Sequence, residues 1–231
     1  MRKIIFIFGG TLLIITFLMD AKILHEFSFS EPIERKKITK INILNLNYLD
    51  EAYILNSIKI NENQEFWSFN KQQLKNELYK INEVKNFKFE LLPSGVLNIQ
   101  IEENHPFVLW NDGERIKYLD KKGEILKFNH SFQNLITVYG KGVDKQIQKL
   151  VSIFSEQNNL NKNTEKIYFY ENVGWKFDLQ SGKCILIPIQ DLKKSIDIID
   201  NIKRLEFFEI FNKIDLRING RIYLSEARCL N

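Results

Sequence analysis

The sequence has little of the chemistry that most enzymes use. Its three histidines, His25, His105 and His130, show no i, i+4 spacing of the kind that builds helical metal sites. It contains no nucleophile elbow, no phosphate-binding glycine loop and no zinc-protease motif. Glu102 and Glu103 are neighbours in a predicted strand, so their side chains should point to opposite faces rather than converge as an acid and a base. These absences predict no catalytic site, no metal and no cofactor, and they oppose a membrane-anchored hydrolase.

Long runs of like charge are absent too. The chain has 33 basic and 29 acidic residues, a net charge of +4, and no block of five or more charges of one sign. Nucleic-acid-binding proteins concentrate basic residues on one face or along one segment, and this chain shows no such concentration. The sequence therefore predicts no nucleic-acid partner.

Cysteine and tryptophan are also rare. Cys184 and Cys229 have no framework spacing; a disulfide is permitted in an exported chain, but lone buried thiols are commoner. The sequence thus leaves pairing open and favours free thiols. Trp67, Trp110 and Trp175 lie in strand or turn patterns, so core packing is favoured over a ligand platform.

One long apolar run is present, at the N-terminus. Ile4 to Met19 contains no charge, and eleven of its sixteen residues are Ile, Leu or Phe. Sixteen helical residues rise about 24 Å, and apolar residues up to Leu24 can extend the span towards about 30 Å. A cleaved signal peptide is the alternative, but residues 19–22 offer no small-x-small cleavage site. We predict a transmembrane anchor at 4–24, a cytoplasmic tail at 1–3 carrying Arg2 and Lys3, and a periplasmic remainder.

The exported part divides into two predicted units after a charged linker at 25–37. The linker is interpreted as a solvated connector, with contact to anionic lipid as the lesser possibility. Residues 38–103 follow the order strand, helix, helix, strand, strand, with Asp50 and Asn70 as helix N-caps. Residues 104–226 alternate short strands and turns with helices at 144–160 and 191–211, and 227–231 form a tail. The predicted fold class is α+β, with a mixed β domain and flanking helices as the second unit.

The chain ends with an alternating stretch, "NKIDLRINGRIYLS", at residues 212–225. Apolar and polar residues alternate with the period of a strand on both sides of Asn219-Gly220. Two residues that tolerate positive φ favour a tight type I′ turn, so the two halves should pair antiparallel. The pattern predicts a hairpin but leaves its use open.

Several separated motifs resemble the FtsQ/DivIB family of bacterial cell-division proteins. Residues 66–103 resemble the second half of its POTRA domain, and the matching places are held by Val84, Pro93, Leu97, Ile99, Ile101 and Glu103. "ENHPFVLW", "YLDKKGEIL", "VGWKFDLQSGKCILI" and "KIDLRI" resemble motifs of the β domain that follows. The sequence departs from the family at Leu46, which replaces a glycine, at Asn104, which replaces an arginine, and at Ile218, which replaces an aromatic residue.

The resemblance implies a non-catalytic, single-pass scaffold of the inner membrane and the division septum. Such a protein links early and late division proteins and binds the FtsB and FtsL pair, with its POTRA domain and anchor serving other divisome proteins. The partner strand would add to the last strand of the β domain by β-augmentation. The partner-binding residues implied here are Arg217, Ile218, Arg221, Ile222, Tyr223, Leu224 and Ser225. The alternative is a POTRA-bearing membrane assembly or transport component.

Overall fold

The computed structural model describes residues 37–156, 158–202, 204 and 209–229, which form two sheets and five α-helices. The strands are β1 (Lys40–Leu44), β2 (Val84–Leu91), β3 (Val96–Glu103), β4 (Val108–Asn111), β5 (Ile116–Leu119), β6 (Ile125–Leu126), β7 (Thr137–Tyr139), β8 (Thr164–Tyr170), β9 (Gly174–Leu179), β10 (Cys184–Ile187), β11 (Lys213–Asp215) and β12 (Tyr223–Ser225). The helices are α1 (Glu51–Ser57), α2 (Lys71–Leu78), α3 (Val143–Glu156), α4 (Asn158–Asn163) and α5 (Leu192–Ile202).

The first sheet has three strands in the order β1-β3-β2, with β1 parallel and β2 antiparallel to β3. The helices begin at the predicted caps, because the side chain of Asp50 accepts from the Ala52 N–H (2.7 Å) and that of Asn70 from the Gln73 N–H (3.0 Å). The predicted β-α-α-β-β order is therefore confirmed. Its core contains the buried side chains of Ile54, Leu74, Leu78, Leu97 and Ile99.

The second sheet has nine strands in the order β12-β11-β10-β9-β8-β7-β4-β5-β6. Helices α3 and α5 contribute to the same core cluster as the strands, which places both on one face of this sheet. Strand β9 supplies its two largest fully buried side chains, Trp175 and Phe177. The predicted mixed β domain with flanking helices is confirmed, with parallel β4–β7, β7–β8 and β10–β11 pairs among antiparallel ones.

The two predicted helices of the second unit are both present. Helix covers the predicted segment 144–160 on both sides of residue 157, over α3 and α4, and residue 157 itself lies outside the described residues. Of the segment 191–211, α5 covers Leu192–Ile202, residue 204 is in a turn and residues 209–210 form a short 3-10 turn. The predicted second helix is therefore confirmed over its first part and does not include residues 204 and 209–210.

The adjacent residues Glu102 and Glu103 at the end of β3 have different environments and different partners. The Glu103 carboxylate is buried and accepts the backbone N–H groups of Asn47 (2.9 Å), Tyr48 (3.0 Å) and Leu49 (2.9 Å). Glu102 lies at the surface and pairs with Lys85. The predicted opposite orientation is confirmed, and Glu103 fastens the turn that follows β1 to the end of β3.

Polar contacts join the two units directly after β3. The Asn104 side-chain amide donates to the Asn82 carbonyl (3.2 Å) and to Asp120 Oδ2 (2.8 Å). The buried Glu83 carboxylate accepts from the Lys127 N–H and from the Tyr53 hydroxyl. The amide at position 104, where the family has arginine, thus bridges the first unit to the second.

The tryptophans separate into two kinds. Trp110 and Trp175 are 6% and 0% exposed, as predicted, but Trp67 is 75% exposed, so the core prediction is wrong there. Trp67 lies on a 3-10 turn, Phe66–Ser68, and Phe69, two residues later, packs against the core instead. A short turn between elements has no strand-like alternation, and local pattern therefore did not indicate which aromatic ring faces inwards.

No helix in the described ranges is both long and apolar enough to span a bilayer. The predicted tail, anchor and nearly all of the linker, together with His25, lie outside the described residues.

Candidate functional site at the terminal sheet edge

The last strand lies at one edge of the nine-stranded sheet. β12 pairs antiparallel with β11 through Lys213 and Ser225, Ile214 and Leu224, and Asp215 and Tyr223. No strand in the described part of the chain pairs with its other side. A strand in this position presents main-chain N–H and C=O groups to which another chain can pair.

The hairpin turn differs from the predicted one. The Arg221 N–H donates to the Ile218 carbonyl (3.1 Å) across Asn219-Gly220, but of these two central residues only Gly220 has a positive φ, +74°. A type I′ turn needs positive φ at both, so that assignment is wrong. Lys194 Nζ donates to Asn219 Oδ1 (3.1 Å) and fastens the turn to α5.

The ladder between β11 and β12 stops at Asp215 and Tyr223, several residues before the turn. The Leu216 N–H donates to the Leu186 carbonyl of β10 (2.8 Å) and so continues the pairing of β11 with β10. Alternation along the strand turns the next N–H, that of Arg217, away from β10, but it donates to Asp215 Oδ1 (3.1 Å). With this donor engaged locally, residues 216–222 form a loop instead of the continuous hairpin that the alternation predicted.

The predicted site residues divide between the two faces of the sheet and the loop. Leu224 packs against the core, while Tyr223 and Ser225 line a cavity on the opposite face. Ile218 and Ile222 in the loop are 54% and 46% exposed, so the predicted inward alternation ends before them. The structure brings all seven residues to one corner of the sheet and leaves three large apolar side chains there in contact with solvent, namely those of Ile218, Ile222 and Tyr223.

The two predicted arginines are held differently. The Arg217 guanidinium donates two hydrogen bonds to the Asp215 carboxylate, from Nε to Oδ1 (2.9 Å) and from Nη2 to Oδ2 (2.6 Å). Burial acts to raise the pKa of Asp215, but the hydrogen bonds and charge of Arg217 outweigh it and hold that pKa below its ordinary value. Arg221 makes a longer contact, from Nη1 to the Tyr223 hydroxyl (3.3 Å), and its side chain is exposed. Arg221 is therefore the better placed of the two to meet an acidic partner.

Asp215→Asn is expected to lower the free energy of unfolding by about 0.5 to 1 kcal/mol, because the pair is partly exposed and solvent screens it. Since the folded pKa is lowered, the stabilisation is present above the ordinary aspartate pKa of about 3.9 and is lost as pH falls through the folded value. The difference between the two proteins, measured by urea denaturation, should be constant from about pH 7 to 5 and shrink as the pH falls further. A difference that does not change with pH would contradict this role.

A cavity of about 850 Å³ lies beside β12 on the sheet face opposite the helices. Sequence analysis missed several of its lining residues, because they come from distant strands and turns: Tyr170, Val173, Lys176, Leu186 and Arg228. Tyr170 and Val173 are 45% and 47% exposed. Only the sheet order brings the β8–β9 turn next to the loop after β11, and no local pattern carries that information.

The two cysteines are joined, which corrects the expectation of free thiols. Cys184 at the start of β10 and Cys229 after β12 form a disulfide with their Cα atoms 6.0 Å apart. Cys184 pairs with Lys213 of β11, and Lys213 pairs with Ser225 of β12. The bridge therefore crosses β11 and ties the segment after β12 back to the sheet. Sequence reasoning failed here because 45 residues separate the cysteines and only the fold brings them together.

Within the described ranges, no group of three or more His, Cys, Asp or Glu side chains is arranged to hold a metal ion. His105 and His130 are exposed, and their rings lie 6.0 and 4.8 Å from that of Tyr48. The corner around β12 instead combines an open strand, exposed apolar side chains and cations. This combination can bind an extended peptide.

Comparison with known proteins supports the resemblance that the motifs indicated. Residues 36–104 match the family model described as POTRA domain, FtsQ-type. The chain is 24% identical over 134 residues to a cell division protein FtsQ of Bradyrhizobium diazoefficiens, covering 55% of this chain and 39% of that protein. It is 25% identical over 131 residues to FtsQ of Caulobacter vibrioides, covering 55% and 43%. The matched region spans about two fifths of the length of these relatives.

A solved structure is also similar in part. It is the major extracytoplasmic domain of the cell division protein DivIB from Geobacillus stearothermophilus, with 13% identity, a TM-score of 0.32, and coverage of 42% of this chain and 87% of that chain. The family model and the curated relatives, rather than this weak likeness, confirm the FtsQ/DivIB resemblance.

Proposed function

We propose that this chain is a member of the FtsQ/DivIB family and a non-catalytic scaffold of the division machinery, anchored in the inner membrane by residues 4–24 with its N-terminus in the cytoplasm. The FtsQ-type POTRA match and the FtsQ relatives support a role in cell division. The scaffold would link early and late division proteins at the septum, and its POTRA unit and anchor would contact further divisome proteins.

The terminal edge strand is the proposed docking site for the FtsB and FtsL pair. The observation that carries this proposal is that β12 pairs on one side with β11, while no described strand pairs with its other side. Because β12 has three residues, a partner strand added there would form about two to four hydrogen bonds, each contributing about 0.5 to 1.5 kcal/mol before ordering costs. Main-chain pairing would supply affinity, and the side chains would supply selectivity.

The side chains around the edge indicate the chemistry of the partner segment. Ile222 and Tyr223 offer apolar surface beside the strand, and Ile218 supplies aliphatic contact where the family has an aromatic ring. Arg221, with Arg217 behind it, favours an acidic side chain on the partner. An extended segment with alternating apolar residues and at least one carboxylate matches this corner best.

Ile222→Pro is expected to weaken binding of FtsB about tenfold or more, if the N–H of Ile222 faces the partner, because proline removes that donor and its ring obstructs pairing. Ile222→Ala is the matched control, since it removes the same side chain but keeps the N–H. Affinity is measured by titrating a labelled FtsB segment into the full chain in detergent.

Proline at the next two positions extends this experiment. N–H groups alternate in direction along a strand, so Tyr223→Pro and Leu224→Pro should have different effects. One should lower stability by breaking the ladder with β11, and the other should lower affinity while the protein stays folded. Normal FtsB binding by all three folded proline variants would contradict docking at the edge.

A second candidate function is membrane assembly or transport, in which the POTRA unit would accept a client strand. The observation in its favour is a further sheet edge: β2 is an outer strand of the first sheet, and no strand among the described residues pairs with its other side. Its side chains are mostly exposed or half-buried. A fluorescently tagged chain in dividing cells distinguishes the candidates: the scaffold gathers at mid-cell, whereas an assembly component spreads evenly over the envelope.

A further inference from the structure

Phe66 and Trp67 form an aromatic pair at the surface of the first unit, in which Phe66 is half-buried and Trp67 is exposed. Trp67 is 75% exposed, the highest value among the large hydrophobic side chains of the described residues. The two rings lie 6.0 Å apart in an edge-to-face arrangement. An indole this exposed loses the burial that normally stabilises a tryptophan in a folded protein, so a contact outside the folded chain would compensate.

Hydrogen bonds hold the pair in a defined position. Ser68 donates to the Glu65 carbonyl through both its N–H (3.0 Å) and its hydroxyl (2.8 Å). The Gln64 side chain donates to the Ser68 carbonyl (3.2 Å), and Asn70 caps α2 immediately afterwards. Trp67 is therefore presented outwards by a short hydrogen-bonded turn between two anchored segments.

The pair lies where the chain enters the first unit from the membrane side. Lys37, the first described residue, forms a bridge with Glu65, and residues 38 and 63–64 are joined by two further hydrogen bonds. Twelve residues, 25–36, separate Lys37 from the end of the predicted anchor. Even fully extended, they reach only about 40 Å, so the turn is tethered close to the bilayer.

Electrostatic attraction does not account for a ligand at the aromatic pair. Glu62 and Glu65 precede the pair in sequence, Lys71 follows it, and Lys37 bridges to Glu65, so the acidic and basic residues balance. Tryptophan combines a large apolar ring with one N–H donor, and this combination favours the boundary between head groups and acyl chains. The chemistry therefore matches a phospholipid surface without a requirement for anionic lipid.

We propose that Phe66 and Trp67 insert into the interfacial zone of the membrane that the anchor spans, and hold the first unit against the bilayer. This inference rests on the proposed anchor at 4–24. Docking at this turn would fix the orientation of the first unit, and of the second unit joined to it through Asn104 and Glu83, relative to the membrane.

Tryptophan fluorescence tests the contact, because Trp67 is exposed whereas Trp110 and Trp175 are buried. The full chain is reconstituted in phosphatidylcholine nanodiscs, with and without bromine on the acyl chains near the carbonyl groups. Bromine quenches fluorophores at short range. The emission of Trp67 is obtained as the difference between the spectra of wild type and Trp67→Phe. We expect this emission to lose most of its intensity in the brominated discs. We also expect its maximum to lie at a shorter wavelength than that of a tryptophan-containing peptide free in water.

Phe66→Ser is the partner variant, and it should reduce both the quenching and the shift while Trp67 remains. Raising the salt concentration should leave both unchanged, because the contact is apolar. A chain that enters nanodiscs but shows unquenched Trp67 emission overturns the membrane contact alone. A chain that does not enter nanodiscs overturns the proposed anchor and this contact with it.

Discussion

Glu103→Gln is expected to lower the free energy of unfolding of the first unit by about 3 kcal/mol. The buried carboxylate accepts three backbone N–H groups, from Asn47, Tyr48 and Leu49. Hydrogen bonds to a charged acceptor contribute about 1.5 to 3 kcal/mol each, and a buried donor left without a partner costs about 1 to 3 kcal/mol. Glutamine keeps one acceptor oxygen but turns an NH₂ group towards groups that are themselves donors, so only part of this stabilisation survives.

Glu102→Gln is a matched control for this prediction. The two glutamates are adjacent, but Glu102 lies at the surface with Lys85, where an ion pair contributes about 0 to 1 kcal/mol. Urea denaturation of the full chain in detergent, followed by circular dichroism, measures both variants. Equal effects of the two substitutions would show that Glu103 does not fasten the turn after β1.

Removal of the disulfide by Cys229→Ser is expected to lower the free energy of unfolding of the second unit by about 2 to 4 kcal/mol. The bridge closes a loop with a sequence separation of 45 that contains α5, β11 and β12. Without it the unfolded chain gains conformational freedom, and for a loop of this size the chain-entropy relation gives about 4 kcal/mol, an upper value in practice. Cys184 is 1% exposed, and a buried thiol is tolerated there, so this single substitution leaves the core intact.

The loss of stability in Cys229→Ser should be largest at the proposed docking edge. β12 forms only three residue pairs with β11, and the disulfide ties down the segment that follows it, so amides of residues 213–225 should exchange with solvent faster in Cys229→Ser than in wild type. A reductant should reproduce this effect in wild type and have none on the variant. If the amide exchange rates of β11 and β12 are the same in Cys229→Ser and wild type, the disulfide does not stabilise this edge, even if the free energy of unfolding of the whole unit changes.

The sequence predicted those features that depend on local chemistry. The caps at Asp50 and Asn70 are short-range hydrogen bonds, and they form where the residue types indicated. The opposite orientations of Glu102 and Glu103 follow from the two-residue period of a strand. Caps, periodicity and turn residues predicted the element order of the first unit, and short strands with flanking helices in the second, and both are observed.

The candidate site was predicted in part. The sequence placed a hairpin at the end of the chain, and its two strands do pair, but the predicted turn and continuous ladder are absent. Competition from the Asp215 side chain for the Arg217 N–H ends the ladder there. The alternation of apolar and polar residues carries no information about which side chain accepts a main-chain N–H.

The sequence by itself determined where α1 and α2 begin, the opposite orientations of Glu102 and Glu103, and which family the motifs resemble, because each depends on neighbours within a few residues or on motif identity. Only the tertiary structure decided that β12 is an edge strand, that Cys184 meets Cys229, and that Trp67 faces solvent. The physical reason is shared: each depends on which segments are adjacent in space, and adjacency is set by sheet order and packing across tens of residues.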